Sequence, residues 1–367
     1  MLDREDAYVS MKKKIAYYIS DYGFGHATRS SGIINGLLNK IDGVEITICN
    51  SFAMPFLQQN FNDSRVKFRL IPTDIGYFLK GNFIEPDLER LNLEYDRYME
   101  EWNERVSQEA TFLQGEGVEL VLSDIVAFPF EAAKKIRIPS VGVSNFTWYT
   151  AYEGLIEEEK LSQMKEAYDS MTGFFTLAGA CEPDWNTLYT KSFGFLSREI
   201  NTCEVDRIRK LLNPLGEKKL VYFGLGMKID HDGLDEFEFW KDPATTFIVS
   251  SNTVIDRENV YRIPSDYTDT HHFIAAADLA ITKAGWGTVG EAVIGNTPLL
   301  IINRQSIKED RNTIAHLKEK NLCQTIEWEE LAQVKSFASM MKEMKYSEIH
   351  YQNDLFEIVK ELKKLVG

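Results

Sequence analysis

A glycine-containing turn at residues 20–29, Ser-Asp-Tyr-Gly-Phe-Gly-His-Ala-Thr-Arg, constrains the fold more than any other stretch of the sequence. It follows a run of β-branched and aromatic residues at 15–19, which is typical of a buried strand. It precedes apolar residues at 33, 34, 37 and 38, whose spacing indicates a helix. Gly23 and Gly25 let the backbone bend sharply and let a ligand approach it closely. The sequence therefore predicts a strand, a tight turn and a helix, with a binding site at the turn.

His26 lies where this turn becomes a helix, at the carboxyl end of the first predicted strand. Ligands of open α/β sheets bind at such strand ends, and a helix start offers free N–H groups and a positive dipole end. A capping or packing role is the alternative interpretation, but the neighbouring glycines favour a functional one. The spacing is not the dinucleotide fingerprint, because Thr28 stands where its third glycine would be, and no Walker lysine follows.

Composition limits the classes of function. The 367 residues predict two domains, because single cores rarely grow beyond about 250–300 residues. The 41 lysines and arginines against 56 acidic residues, a net charge of −15, argue against nucleic-acid binding and against more than peripheral membrane contact. The four cysteines are scattered without a C-x-x-C pair, so we expect neither a zinc site nor a disulfide framework. These features predict a cytoplasmic protein.

Strands that alternate with helices along the whole chain predict an α/β protein with two doubly wound halves, each opening with a strand and a glycine turn. In the first half we expect the strand order 3-2-1-4-5. A long amphipathic helix is predicted over residues 86–114 and a linker over residues 190–215. Two helices, over residues 329–344 and 347–365, are predicted to close the chain.

The same alternation suggests a division into domains. We expect residues 1–10 to form a leader without fixed structure and residues 11–195 to form an N-terminal domain. Residues 196–345 are expected to form a C-terminal domain. Residues 346–367 are expected to form a final helix that packs back on the N-terminal domain.

A second glycine turn follows a predicted buried strand in the C-terminal half. Gly285 and Gly287 open this turn, and Thr288 can cap the helix after it. The bare N–H groups of that helix start would receive a diphosphate. Gly224 and Gly226 form another turn that could face a phosphate, although this pair alone is a weak signal.

Glu291 lies one turn into the helix that follows the second glycine turn, on the face near the same opening. A carboxylate at this place can hold the two hydroxyl groups of a ribose, as acidic residues do in other nucleotide sites. The alternative is that Glu291 only stabilises the helix dipole from its first turn, which is worth about 0.3–1 kcal/mol. The layout favours the ribose interpretation.

Over nearly its whole length the chain resembles the GT-B glycosyltransferases. Residues 278–292, followed by Pro298-Leu299-Leu300, are similar to their nucleotide-sugar donor motif. The Gly-x-Gly-His of the first turn is similar to that of the enzymes that add N-acetylglucosamine to the lipid-linked peptidoglycan precursor. Residues 23–29, 122–126 and 143–148 also resemble the glycosyltransferase-like N-terminal half of plant L-arabinokinases.

The resemblance implies that the N-terminal half binds an acceptor, that the C-terminal half binds a nucleotide sugar, and that catalysis occurs between them. His26 matches the catalytic base of inverting members, and Asp124 matches the acidic residue that orients it. The expected strand order agrees, because strands one and four are neighbours and their carboxyl ends flank one crevice. Lys283 stands where retaining members carry a glutamate, which favours inversion. Such enzymes need no metal ion for chemistry and no cofactor.

The sequence therefore predicts an inverting, metal-independent glycosyltransferase of the hexosyl or N-acetylhexosaminyl type. The donor would be a nucleoside diphosphate sugar, a UDP-sugar, and the acceptor a small molecule, a glycan or a lipid-linked compound. Two alternatives stay open: a nucleotide-sugar hydrolase or epimerase on the same fold, and a non-catalytic nucleotide- or sugar-binding module. The residues predicted to bind the donor are Gly224, Gly226, Arg262, Ile263, Lys283, Gly285, Gly287, Thr288, Glu291 and Asp310, and those predicted to bind the acceptor are Gly25, Arg29, Asn145 and Trp148.

Overall fold

The computed structural model describes residues 13–80, 85–226, 233–304, 306–347 and 350–366. The expected leader, residues 1–10, lies outside the described residues. These residues form two parallel β-sheets, one from each half of the chain, with helices on their faces. The expectation of two doubly wound α/β halves is confirmed.

The first sheet has seven strands. They are β1 (Lys14–Ile19), β2 (Glu45–Asn50), β3 (Val66–Leu70), β4 (Leu120–Asp124), β5 (Ser140–Ser144), β6 (Gly173–Thr176) and β7 (Tyr189–Ser192). Their order across the sheet is β3-β2-β1-β4-β5-β6-β7, and every pair is parallel. The predicted order 3-2-1-4-5 is confirmed. In the register of β1 with β4, Ile19 lies opposite Asp124, so both strands end at the same level.

The second sheet has six strands. They are β8 (Lys219–Gly224), β9 (Thr245–Val249), β10 (Val260–Arg262), β11 (Leu279–Lys283), β12 (Leu299–Ile302) and β13 (Cys323–Ile326). Their order is β10-β9-β8-β11-β12-β13, again with parallel pairs throughout. Strands β8 and β11 are neighbours, so the glycine turns that follow them meet at one edge of this sheet.

The helices cover both faces of each sheet. They are α1 (Phe24–Lys40), α2 (Met54–Asn60), α3 (Leu88–Glu100), α4 (Trp102–Glu116), α5 (Phe128–Ile136), α6 (Trp148–Tyr152), α7 (Glu158–Tyr168), α8 (Thr202–Leu212), α9 (His271–Ala276), α10 (Trp286–Ile294), α11 (Lys308–Glu319), α12 (Trp328–Leu331), α13 (Phe337–Met340) and α14 (Leu355–Val366). Short 3₁₀ helices span Leu234–Glu236 and Glu238–Lys241. Among the described residues, none of these helices combines the length and apolarity needed to cross a membrane.

The long helix predicted over residues 86–114 is two helices, α3 and α4, which separate at Glu101. The sequence carries no proline or glycine at this point. Trp102, the first residue of α4, is completely buried, and its indole N–H donates a hydrogen bond of 2.9 Å to Oε2 of Glu131. Tertiary packing of this side chain overrides the local helical pattern, which is the usual limit of propensity arguments.

Two other predicted segments also differ from the structure. The linker expected over residues 190–215 contains most of strand β7 and the whole of helix α8. Strand β7 was missed because it is a short, largely exposed edge strand without an apolar face. The closing helices are shorter than predicted: residues 329–344 contain most of α12 and the whole of the four-residue helix α13, and the last helix begins only at Leu355.

The two halves are in close contact at their first helices. A Cβ atom on Gly287, in the first turn of α10, would lie 2.7 Å from Cα of Gly25 in the first turn of α1. The indole N–H of Trp286 donates a hydrogen bond of 2.8 Å to the carbonyl oxygen of Ala178, in the first half. Helix α14 returns to the first half and packs on α1, where Nζ of Lys363 donates to the carbonyl oxygen of Lys40 at 2.9 Å.

We predict that Gly287→Ala lowers the free energy of unfolding by about 1–3 kcal/mol, the usual cost of overpacking. The new Cβ would meet the backbone of Gly25, which cannot move aside as a flexible side chain can. Urea unfolding measures the change. The control is Gly115→Ala on α4, whose Cβ would meet no heavy atom within 4 Å and should leave stability unchanged or slightly higher. Equal stability of Gly287→Ala and the parent protein would contradict the prediction.

Candidate functional site

A cavity of about 710 Å³ lies between the two halves. Its walls include the glycine turn after β1 and the glycine turns after β8 and β11. The carboxyl ends of the central strands of both sheets therefore open into one space, as expected for ligand sites of doubly wound folds. The volume lies within the usual range for sites that enclose a small-molecule ligand.

His26 and Asp124 form a hydrogen-bonded pair at one wall of the cavity. His26 lies in the first turn of α1 and lines the cavity, while Asp124 is the last residue of β4. The distance between Nδ1 of His26 and Oδ1 of Asp124 is 3.0 Å. Both side chains are buried, Asp124 almost completely. The ring nitrogen Nε2 of His26 lies on the side of the imidazole away from the carboxylate.

Arg29, one turn further along α1, also binds Asp124. Its Nε donates to Oδ2 of Asp124 at 2.8 Å, and its Nη2 donates to Oδ1. Its Nη1 donates to Oδ1 of Asn145 at 2.8 Å, and Ser30 Oγ donates to Oδ2 of Asp124 at 3.1 Å. Arg29 lines the cavity but is only 4% exposed. Arg29 compensates the charge of this buried carboxylate, and its predicted contact with an acceptor stays a prediction.

The electrostatics of this cluster favour a neutral imidazole beside an ionised carboxylate. Burial by itself raises the pKa of Asp124, but the charges of Arg29 and His26 outweigh it and hold this pKa well below its usual range. Burial lowers the pKa of His26 below 6.5, against the opposing pull of Asp124. Nδ1 of His26 lies 3.0 Å from Oδ1 of Asp124, which can only accept, and 3.0 Å from Nη2 of Arg29, which can only donate. In the tautomer that donates to Asp124, Nδ1 carries the proton and Nε2 carries the lone pair. In that tautomer His26 presents a proton acceptor to the cavity.

The opposite wall is built from the turns of the second half. Gly224, Gly226, Gly285, Gly287 and Thr288 all line the cavity. Helix α10 begins directly after Gly285, so its unpaired N–H groups lie at this wall. The helix start and the glycine backbones make this wall suitable for an anion.

Lys283, the last residue of β11, brings a positive charge to the same wall. It lines the cavity, and its Nζ lies 5.9 Å from the centre of the Tyr22 ring. A Cβ atom on Gly226 would lie only 3.1 Å from Cε of Lys283, so the lysine packs along that glycine turn. The wall therefore combines N–H donors with a lysine side chain, both of which suit a phosphate group.

Two predicted donor residues are carboxylates held by arginines. Glu291 lines the cavity, and Nη2 of Arg198 lies 2.9 Å from its Oε1. Burial raises the pKa of Glu291, and Arg198 opposes this effect. Asp310 also lines the cavity, and its Oδ2 accepts a hydrogen bond of 2.7 Å from Nε of Arg304.

Not every predicted residue lies at the cavity. Gly25, Asn145 and Ile263 line it, whereas Arg262 and Trp148 are not among the lining residues. Arg262 is an exposed residue of the edge strand β10. Trp148 is 1% exposed, and its indole N–H donates a hydrogen bond of 2.8 Å to Oδ2 of Asp74, so it packs beneath the wall instead of facing an acceptor.

Glu309 was missed by the sequence analysis. It lines the cavity and accepts a hydrogen bond of 2.7 Å at Oε2 from the hydroxyl of Tyr77 in the other half. Burial, and then the neighbouring Asp310, raise the pKa of Glu309 to about 7. No motif marks this contact, because only the tertiary fold brings residues 77 and 309 together. Within the described part of the chain, no cluster of three or more His, Cys, Asp or Glu side chains could hold a metal ion.

Solved structures resemble this architecture over almost the entire chain. The Arabidopsis thaliana protein UGT89C1, solved with UDP, superposes with a TM-score of 0.62 and 13% identity, covering 97% of this chain and all of that one. Medicago truncatula UGT71G1, solved with UDP-glucose, gives a TM-score of 0.61 and 11% identity over 97% of this chain and 99% of that one. The protein has the GT-B fold. At such low sequence identities, the similarity to these structures shows the fold alone.

Sequence comparison identifies one relative of the chain. L-arabinokinase of Arabidopsis thaliana is 24% identical over 302 residues, which cover 80% of this chain. The match spans only 28% of the length of L-arabinokinase. No family model matches the chain.

We predict that the pKa of His26 lies below 6.5 and falls further in Asp124→Asn, because burial lowers it and the lost carboxylate is what raises it. NMR of ¹³C-labelled histidine across a pH titration measures both values, with His26→Gln assigning the signal. His316, whose pKa owes nothing to Asp124, is the internal control and should titrate equally in both proteins. A His26 pKa at or above 6.5, or one that rises in Asp124→Asn, would refute the assigned electrostatics.

Proposed function

We propose that the protein is an inverting glycosyltransferase that moves a hexosyl or N-acetylhexosaminyl group from a UDP-sugar to an acceptor hydroxyl. The observation that carries this proposal is the His26–Asp124 pair at the wall of the cavity between two GT-B halves, with Nε2 on the side of the ring away from Asp124. UDP and UDP-glucose in structures of the same fold support the choice of donor.

In the proposed reaction, Nε2 of His26 removes the proton of the acceptor hydroxyl as its oxygen attacks the anomeric carbon. The bond between that carbon and the β-phosphate oxygen breaks, and UDP leaves with the electron pair. A single displacement from the face opposite the leaving group inverts the anomeric centre. Asp124 stabilises the imidazolium that forms and holds the ring in the required tautomer. General-base catalysis of this kind contributes about 10²–10⁴-fold to the rate.

The second half would bind the donor. The N–H groups at the start of α10 and the charge of Lys283 would receive the diphosphate, whose negative charge grows as the bond to the sugar breaks. Glu291 would hold the ribose, and the backbone near Ile263 would contact the base. In this proposal the protein's own positive groups serve the leaving diphosphate, and no step is assigned to a metal ion or a cofactor.

The first half would bind the acceptor beside His26, with Gly25 and Asn145 at the contact. The acceptor is a small molecule, a glycan or a lipid-linked compound. The acidic charge balance and the scattered cysteines support a cytoplasmic enzyme that binds no nucleic acid.

We predict that UDP and UDP-sugars raise the melting temperature and that Glu291→Ala removes much of this shift. A ligand at about 100 times its dissociation constant adds about 2.7 kcal/mol, which corresponds to several degrees. Differential scanning fluorimetry with a panel of nucleotides and nucleotide sugars measures the effect. The control is Glu329→Ala, which removes an exposed carboxylate on α12. If no nucleotide shifts the wild type, the donor site is wrong and a non-catalytic scaffold without nucleotide becomes the better explanation.

We predict that His26→Ala lowers transfer by about 10²–10⁴-fold while UDP affinity changes little, because His26 acts on the acceptor proton. The assay contains EDTA, because the proposed reaction assigns no step to a metal ion. The anomeric configuration of the product is determined by ¹H NMR, and inversion is expected. His350→Ala, which removes an exposed histidine, is the control. Retention of configuration, or loss of UDP binding in step with activity, would contradict the assigned role. Rapid release of free sugar without an acceptor would instead identify a hydrolase.

A further inference from the structure

Glu291 carries a charge that the fold must compensate. Its side chain is only 7% exposed, and burial raises its pKa, which weakens the carboxylate form that a ribose hydroxyl would bind best. Nη2 of Arg198, itself 6% exposed, lies 2.9 Å from Oε1 of Glu291. A guanidinium at this distance favours the ionised form of a buried carboxylate and so opposes the effect of burial.

Arg198 is fixed by several other contacts. It lies between β7 and α8, in the segment that joins the two sheets. Its Nη1 donates a hydrogen bond of 2.7 Å to the carbonyl oxygen of Thr268 and lies 3.4 Å from Oδ1 of Asp269. The same segment packs directly on α10, since a Cβ atom on Gly290 would lie 2.7 Å from the carbonyl oxygen of Leu196. The segment that contains Arg198 is thus packed against α10, the helix that carries Glu291.

The arrangement leaves one side of Glu291 for a ligand. Glu291, Thr268 and Thr270 line the cavity, while Arg198 is not among the lining residues and lies behind them. Arg198 occupies Oε1. No hydrogen bond reaches Oε2 from the part of the chain that the structure describes. An ionised carboxylate with one oxygen held from behind is a directed acceptor for hydroxyl groups in the cavity.

We propose that Arg198 is a positioning residue that holds Glu291 ionised and oriented to accept hydrogen bonds from the ribose hydroxyls, and that it thereby selects ribonucleotide over deoxyribonucleotide donors. The inference rests on the proposed function, because it requires a nucleoside diphosphate in the cavity. A site whose buried acceptor expects a hydroxyl rejects a ligand without one, since the acceptor is then left unpaired. Arg198 does not touch the nucleotide and acts only through Glu291.

The experiment compares the affinities of UDP and 2′-deoxy-UDP by isothermal titration calorimetry. The wild type should prefer UDP by about tenfold or more, as expected for a hydrogen bond to a charged group. Arg198→Met keeps the length of the side chain but loses its charge, and should reduce this preference to about threefold or less. The matched control is Lys210→Met on α8, which removes an exposed charge and should keep the wild-type preference.

Two further variants separate positioning from a structural role. Glu291→Gln should lose the same preference, and adding Arg198→Met to it should change the ratio no further, because both act on one contact. Arg198→Lys keeps the charge and should retain a preference between those of the wild type and Arg198→Met. Circular dichroism of the free protein shows whether Arg198→Met folds. If it does not fold, Arg198→Lys tests the proposal in its place.

The outcomes distinguish this inference from the proposed function. If Arg198→Met, or Arg198→Lys in its place, weakens UDP and 2′-deoxy-UDP equally, Arg198 is merely structural and the inference is wrong. If the wild type binds both nucleotides equally well, Glu291 does not select ribose, although the donor site stands. If the wild type binds neither nucleotide, the proposed function itself fails and this inference with it.

Discussion

The ionised carboxylate of Asp124 is the group on which the candidate site depends. A buried charge is costly unless it is paired and hydrogen-bonded, and removing one partner of such a pair typically costs about 3–5 kcal/mol. Among the described residues, the side-chain hydrogen-bond partners of Asp124 all lie on helix α1. Arg29 and Ser30 follow His26 by three and four residues, so the three side chains share one face of the helix. The carboxylate at the end of β4 therefore fixes the rotation of α1, and with it the direction of the imidazole towards the cavity.

The same compensation recurs on the other side of the cavity, although the protein has a net charge of −15. Glu291 is paired with Arg198 and Asp310 with Arg304, while the pKa of Glu309 is raised to about 7 by burial and by its neighbour Asp310. An acidic protein could hardly bind a diphosphate beside three uncompensated carboxylates. With these groups paired or partly protonated, the positive charge of Lys283 and the dipole at the start of α10 lie beside carboxylates whose own charge is reduced.

Sequence reasoning was most successful where the position of a residue follows from the strand order. His26 and Asp124 could be placed together because residues at the carboxyl ends of neighbouring parallel strands must share an edge, and the order β2-β1-β4 is confirmed. Sequence reasoning reaches less far where the direction of a side chain decides. Arg29 and Trp148 follow the ends of β1 and β5, and only the structure shows that Arg29 donates to Asp124 and Trp148 to Asp74. The contact of Tyr77 with Glu309 joins residues more than two hundred positions apart, which no local pattern can reveal.

The contact between Gly25 and Gly287 links these local features into one geometry. The first turns of α1 and α10 approach so closely that a single Cβ on Gly287 would fall within 2.8 Å of two backbone atoms of Gly25. The close approach, and not an unusual backbone angle, is what requires glycine here, since neither residue has a positive φ. The imidazole of His26 and the N–H groups of α10 are each at most one residue from this contact. Contact of one backbone with another therefore fixes the distance between the two helix starts, because neither backbone can move aside as a flexible side chain can. The bond to Asp124 then sets the direction of the imidazole relative to the start of α10.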